Sequence, residues 1–398
     1  TVRHDMTPYY VIIAACVLLA VLCALKFLVF NKDGLTPVVN VEAPDDMDPL
    51  KMGKLIDNRV DKSDVTSLIY YWANKGYIKI NMDNQSDIEL IRIYKNLPPQ
   101  SPSYQKIMYE GLFKRGDSVK INSLTNSFYT TVEAVTRKVN TESGKLYDGK
   151  SMSAAVLFAV LGALLMAVTP IVMCFLNLTI LTITPLFVVI PAFIVFAVTL
   201  AVRYNRLKLG KGKLALAYLG IAVLSAVCVA VYVFFVPSYI VEVLPKIILG
   251  AAGFAIVMLS TLLVSRTEKY TQKLNKIVGF RNFILYAEKN RLETMLEQNP
   301  EFYYQILPYA IVLGVSDIWE NKFAALTVTP PNWVVGSRHD TLFNFMVFNA
   351  AIRTVNTRMT TAFIFRPSSG SFSGGGSHGG SFGGFSGGGH GGGGARGR

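Results

Sequence analysis

Acid–base, nucleophilic and metal chemistry require histidines, cysteines or paired carboxylates at particular spacings. The 398-residue chain has four histidines, His4, His339, His378 and His390. None stands in a pattern with Ser, Cys or carboxylate that a nucleophilic triad or a metal site would need. The nearest constellation is Arg338-His339-Asp340, and its simpler account is a polar loop whose aspartate caps the next helix. The four cysteines, Cys16, Cys23, Cys174 and Cys228, all fall inside apolar runs and away from metal-ligand spacing. They read as small apolar side chains. Asp45-Asp46 is a carboxylate pair in a linker, where solvation is the default. Glycine patterns near the C-terminus follow no strand and open no helix, so they are not phosphate loops. The residue types therefore designate no catalytic group, no metal and no cofactor. The set with a chemistry of its own is basic: Arg203, Arg206, Lys208, Lys211 and Lys213, with no acid among them. Such a run suits anionic lipid, or it acts only as a topology signal.

The elements that position this run are apolar. About half of the residues are hydrophobic and 16% are charged, too few charges for an ordinary soluble chain of this length. The excess is gathered into runs over 9–30, 152–176, 178–202, 214–236 and 247–264, each long enough to cross a hydrocarbon core. Lys26, the one charge within a run, is placed to snorkel. Pro170, Pro185 and Pro191 predict kinks in the second and third runs. Fifteen Lys/Arg flank one set of ends, among them Arg137, Lys150, Arg203, Lys213, Arg266 and Arg281; only Arg3 and Lys246 flank the other. The basic excess places the N-terminus outside and the C-terminus in the cytoplasm. The fold expected is an α-helical integral membrane protein, with one anchor span and a four-span bundle. Alanines at 155, 159, 163 and 167, and at 222, 226 and 230, form small faces for close helix packing. Asn177 and Glu242 lie at run ends rather than at mid-depth, which argues against an ion pump.

Residues 1–8 are an extracytoplasmic stub, and 31–150 form a cytoplasmic α+β region. There, Leu50–Asn58 suggests a helix, and Asp61 or Ser63 caps another over Asp64–Asn74, ended by Gly76. Alternation in Tyr77–Ile80 and Ile88–Ile93, with Asp83-Asn84 between, predicts a β-hairpin. Two helices and a hairpin read as winged-helix-like. A helix over Tyr104–Phe113, a strand over Ser118–Ile121 and a long helix over Ser123–Tyr147 then lead into the second span. The segment 31–150 holds 17 Lys/Arg against 16 Asp/Glu, and its helix over 64–75 has a single lysine, so nucleic acid is a poor partner for it. Residues 266–360 form a cytoplasmic helical domain. It begins with a basic helix continuing from Arg266 to Ile277 and is broken at Pro300, Pro308 and Gly314. Its last helix, Asp340–Met359, lays a stripe of Phe345, Phe348, Ile352, Val355 and Met359 on the domain core, or on the inner leaflet. Residues 368–398, about half glycine, are a disordered tail.

Three sets of residues carry a resemblance: DVTSLIYYWANKGYIKI after an anchor and a proline-containing linker; GFRNFILYAEKNRL through LPYAIVLGV to Trp319; and the Gly/Ser/Phe tail. In this order the chain resembles the YciQ-like predicted bacterial membrane proteins, the domain of unknown function 2207 family. The resemblance implies an exported N-terminal domain, which this chain lacks, so the sequence reads as the back part of a longer protein. It implies no activity for any residue. Three functions stay open: a non-enzymatic envelope scaffold or sensor linking an exported domain to cytoplasmic modules, a transporter or channel component, and a membrane-embedded enzyme. The first is expected, with the bilayer, inner-leaflet anionic lipid and cytoplasmic proteins as partners.

Overall fold

The structure is a computed structural model that describes residues 7–30, 35–44, 47–82, 88–177, 186–208, 211–235, 243–335 and 344–364. Its first helix, α1 (Thr7–Phe30), is apolar throughout. Next come α2 (Pro49–Asp57), α3 (Lys62–Asn74), the strands β1 (Ile78–Asn81) and β2 (Glu89–Arg92), α4 (Ser103–Leu112), β3 (Ser118–Lys120) and α5 (Tyr129–Glu142). Four apolar helices follow: α6 (Gly149–Asn177), α7 (Leu186–Asn205), α8 (Lys211–Phe235) and α9 (Val243–Ser260). The chain ends with α10 (Glu268–Tyr286), α11 (Lys289–Gln298), α12 (Phe302–Val312), α13 (Ser316–Phe323), β4 (Val334–Val335) and α14 (Phe345–Ile364). Among the described residues, Gly212–Val231 is the one stretch long and apolar enough by itself to cross a membrane, with shorter apolar stretches in α1, α6, α7 and α9.

Side chains from before and after the apolar helices share one core. Leu50, Trp72, Ile80 and Tyr104 are buried with Phe280, Tyr303, Trp319, Trp333 and Met359. The strands form a sheet in the order β3-β2-β1-β4. The hairpin is antiparallel, with Ile80 opposite Leu90, while β4 joins β1 in parallel from about 250 residues later. Thr66 donates to Asn356 Oδ1 at 2.6 Å, and the Tyr70 hydroxyl donates to the Ile352 carbonyl at 3.2 Å. These bonds dock α14 on α3, so its Phe348–Ile352–Val355–Met359 stripe faces the core.

The turns depart from simple continuation of helices. The long helix expected over Ser123–Tyr147 is divided: a 3-10 turn covers Ile121–Leu124, Asn126 has φ of 74°, and α5 stops at Glu142. Gly144, at φ of 71°, turns the chain out of the helix. The helix expected to run on from the last apolar stretch is also interrupted. A 3-10 turn closes α9 at Thr261–Leu263, and α10 starts afresh, its N-cap Thr267 accepting from the Tyr270 N–H. Both interruptions serve one join. Tyr147 pairs antiparallel with Arg266, Asp148 N–H donates to Ser265 O at 3.1 Å, and Thr267 N–H to Leu146 O at 3.0 Å. Entry into α6 and exit from α9 are thus stitched together.

The four helices between pack by small side chains. Ala155, Ala159, Ala163 and Ala167 are all buried on α6, and Met166 lies against Gly253 of α9. The matching face of α8 is different: Ala222, Ala226 and Ala230 are exposed. A small face permits close approach without compelling it. Ile221, Leu224 and Cys228 turn inward instead, toward Ala192, Val195 and Phe254.

Pro308, expected as a break, lies inside α12. Proline has no N–H to give the carbonyl four residues earlier, here Tyr304. Asn74 fills the gap: its Nδ2 donates to Tyr304 O at 2.6 Å, while its Oδ1 accepts from Trp333 Nε1 at 2.8 Å. One side chain at the end of α3 therefore completes α12 and anchors the approach to β4. Asn74→Ala leaves two polar groups without these partners and should cost roughly 2–4 kcal/mol. Adding Pro308→Ala restores an N–H to Tyr304 O, so the double variant should melt above Asn74→Ala alone. Thermal unfolding in detergent, followed by circular dichroism, checks this order.

Candidate functional site

The turn between α2 and α3 gathers charge inside the protein. Asn58 caps α2 in the left-handed region, with φ of 63°. Lys54 Nζ donates to the Asn58 carbonyl at 2.8 Å and to its Oδ1 at 2.9 Å. Asp61 caps α3, and its N–H donates to Asp64 Oδ2 at 2.7 Å. Asp57 Oδ1 accepts the Arg59 N–H at 2.9 Å. The three carboxylates, spaced four and three residues apart, thereby converge. Asp57 and Asp64 are fully buried, and the Asp64 carboxylate packs on the Cα of Gly53, where a Cβ would collide with it.

Into this pocket comes Lys208, from the loop joining α7 to α8. Its Nζ lies 2.7 Å from Asp57 Oδ2, 3.3 Å from Asp61 Oδ2 and 3.9 Å from Asp64 Oδ1. One ammonium cannot neutralise three carboxylates. Burial, the largest influence, pushes Asp64 well above the ordinary carboxylate range and raises Asp57, against the pull of Lys208. The same carboxylates raise Lys208 above its usual value in spite of its own burial. Burial lowers Lys54, although Asp57 and Asp64 oppose it. The arrangement can hold a proton and a cation at a joint between two parts of the fold. Among the described residues, no group of three or more His, Cys, Asp or Glu is placed to hold a metal ion.

The five basic residues singled out in the loop take different places. Lys208 is committed to the aspartates. Arg203 donates through Nη1 to the Thr261 carbonyl at the end of α9. Arg206 and Lys213 are exposed, and Lys211 opens α8, its side chain outside what is described. Arg338, His339 and Asp340 lie outside the described residues, as do His4, His378, His390 and the tail. Cys23 and Cys228 are free thiols. The aspartates were missed by sequence reasoning. Their signal was complementarity: acids at 57, 61 and 64 against a basic loop that contains no acid of its own.

A second polar knot lies deeper. Asp48 caps α2 by accepting the Lys51 N–H at 3.0 Å, and its other oxygen accepts from the Tyr104 hydroxyl and from Gln105 Nε2 at 2.9 Å. Gln105 Oε1 accepts from Trp72 Nε1 at 3.1 Å. This knot satisfies buried groups and joins α4 to α2 and α3, a structural task.

Fold and site together define a mostly helical protein whose apolar helices are tied at one end to a mixed helical and β core. The family described as Predicted membrane protein (DUF2207) C-terminal domain matches residues 37–211 and 204–323, and the chain belongs to that family of predicted membrane proteins of unknown function. No curated protein and no solved structure matches it.

Removing the ammonium should expose what the joint costs. Lys208→Met strands buried carboxylates and should destabilise the protein by roughly 3–5 kcal/mol; Asp64→Asn in the same chain should recover part of this. The pH dependence has a definite sign. Carboxyls with raised folded values contribute stability that is complete below their unfolded value, ~4, and is lost as pH rises through the folded value. Lys208 offsets that loss in the parent. The melting midpoint of Lys208→Met should therefore fall more steeply than the parent's as pH rises above the unfolded carboxyl value, ~4. Thermal melts in detergent across that range measure it.

Proposed function

We propose that the chain is a five-span membrane protein, N-terminus outside and C-terminus cytoplasmic, that works as a contact-based scaffold or sensor. The observation that carries this reading is the stitch between Tyr147 and Arg266. A chain that leaves for α6 and returns from α9 at one hydrogen-bonded place has crossed an even number of times. Lys208, midway through that excursion, reaches the same core. This supports two hairpins, α6–α7 and α8–α9. The five apolar helices have 24, 29, 20, 25 and 18 residues, and about 20 are needed to span. The basic residues beside the core-side ends agree with a cytoplasmic core.

Within that core, α2, α3 and the β1–β2 hairpin support a winged-helix-like module used for protein contact. Helix α3 is buried from Asp64 to Tyr70 and again at Trp72 and Ala73, so it offers no face to a nucleic-acid groove. The ties between helices and core suit a device in which a shift of the spans alters the cytoplasmic surface. Arg206 and Lys213, exposed at that level, remain candidates for inner-leaflet anionic lipid.

A reporter active only in the cytoplasm, inserted at residues 100, 208, 240 and 330 in separate chains, should be active at all but 240. Activity at 240, or silence at 208, would refute the topology. For the scaffold role, partners crosslinked in membranes should change in Lys208→Met while insertion and expression hold. An unchanged partner set in an uncoupled protein would remove the sensor reading.

A further inference from the structure

Of the three carboxylates at the α2–α3 turn, Asp64 is served least. Its side chain is fully buried. Its Oδ2 accepts the Asp61 N–H, but among the described residues nothing hydrogen-bonds to Oδ1. Lys208 Nζ stands 3.9 Å from that oxygen and closer to both other aspartates, at 2.7 and 3.3 Å. Across from it on α2 is the Cα of Gly53, which has no polar group to offer. The surrounding charges do not balance either. Lys54 and Lys208 bring two ammonium groups against the three carboxylates of Asp57, Asp61 and Asp64, and Lys54 turns its donors to Asn58. Arg59 is exposed and lends its backbone N–H to Asp57. The Tyr270 hydroxyl of α10 donates to Leu55 O, and α12 and α14 meet α3 at Tyr309 and Asn356, all uncharged groups at neutral pH. Asp61 is half exposed, so water screens it, and Asp57 holds Lys208 closely. One proton on Asp64 makes the set neutral.

We propose that Asp64 is a proton-binding site: it is a neutral acid while Lys208 is seated, and it gives its proton to water when the α7–α8 loop withdraws. A buried neutral acid costs far less than a buried charge without a close partner. Burial also holds Asp64 well above the ordinary carboxylate range, against the pull of Lys208. The direction follows from linkage. The closed joint keeps a proton that the open joint loses, so rising pH favours opening. The open population should grow by up to about tenfold per pH unit above the open-state value, ~4, and level off beyond the closed-state value. The proton site stands on burial and on the unmet oxygen; its use as a signal rests on the sensor reading given above.

The test uses the full chain in detergent. Its infrared spectrum at neutral pH should contain a protonated carboxyl band that is lost in Asp64→Asn and kept in Asp61→Asn. An amide reproduces the neutral acid, so Asp64→Asn should match the parent's melting midpoint in acid and hold it better as pH rises. Absence of the band, or a lower midpoint for Asp64→Asn than for the parent at neutral pH, would mean an ionised Asp64 paired with Lys208 and would overturn the site. Seating of the loop is read by trypsin cleavage after Lys208, each rate divided by that of the urea-unfolded chain at the same pH. Cleavage of the parent should rise with pH, by up to about tenfold per unit, and that of Asp64→Asn less steeply. Equal profiles in the two chains would overturn the proton's hold on the loop. If cleavage follows pH as expected while the partners crosslinked in membranes stay the same over that range, the proton-linked joint stands and the sensor reading is lost.

Discussion

The segments on either side of the apolar helices bury each other, and the rest of the molecule depends on that exchange. Trp72 and Tyr104 come from the first segment, Tyr303, Trp319 and Trp333 from the second, and all are withdrawn from water in one cluster. Contacts cross between the segments: Tyr70 meets Trp333, Tyr71 meets Tyr309, and the Tyr270 hydroxyl donates to the Leu55 carbonyl. The apolar helices must therefore deliver the chain back to its point of departure. The stitch at Tyr147 and Arg266, the sheet that takes β4 beside β1, and the docking of α14 on α3 all follow from that one requirement.

Charge adds a second and more conditional bond. Burial of hydrophobic rings holds the core whatever the position of the helices, but Lys208 reaches the aspartates only when the α7–α8 loop is seated. A buried ion cluster contributes little net stability and much geometric discrimination. It tolerates poorly any arrangement in which the carboxylates lose their cation. The cluster therefore fixes where the α7–α8 loop sits, while Asn74 and Asp48 knit the core itself.

The helices were legible where periodicity and caps agreed. Asp61 and Gly76 bracket α3, and the alternation at Ile78–Asn81 and Glu89–Arg92 marks the hairpin. Less legible were features decided by distant partners. Pro308 signals a break, and only Asn74, far earlier in the chain, lets α12 continue through it. Ala222, Ala226 and Ala230 have the spacing of a packing face, but the bulkier stripe beside them met the neighbouring helices. Val334-Val335 is too short to announce a strand without β1 beside it. The site was half visible. The basic loop stood out, but which of its residues meets carboxylates and which a carbonyl depends on the residues of other elements that come near.

The shared core also sets an order of events during synthesis. Residues 47–142 leave the ribosome with Tyr70 and Asn74 lacking partners that lie beyond residue 268: Tyr70 meets Ile352 and Trp333, and Asn74 meets Tyr304 and Trp333. At roughly 5–20 residues per second, the interval before those partners emerge is on the order of ten seconds or more. Throughout it four apolar helices are being made, and the first half of the core waits with Tyr70 and Asn74 short of these partners. Newly made chains are thus exposed to chaperones and proteases in a window that mature chains never revisit. A chain stopped before α10 would remain in that window permanently.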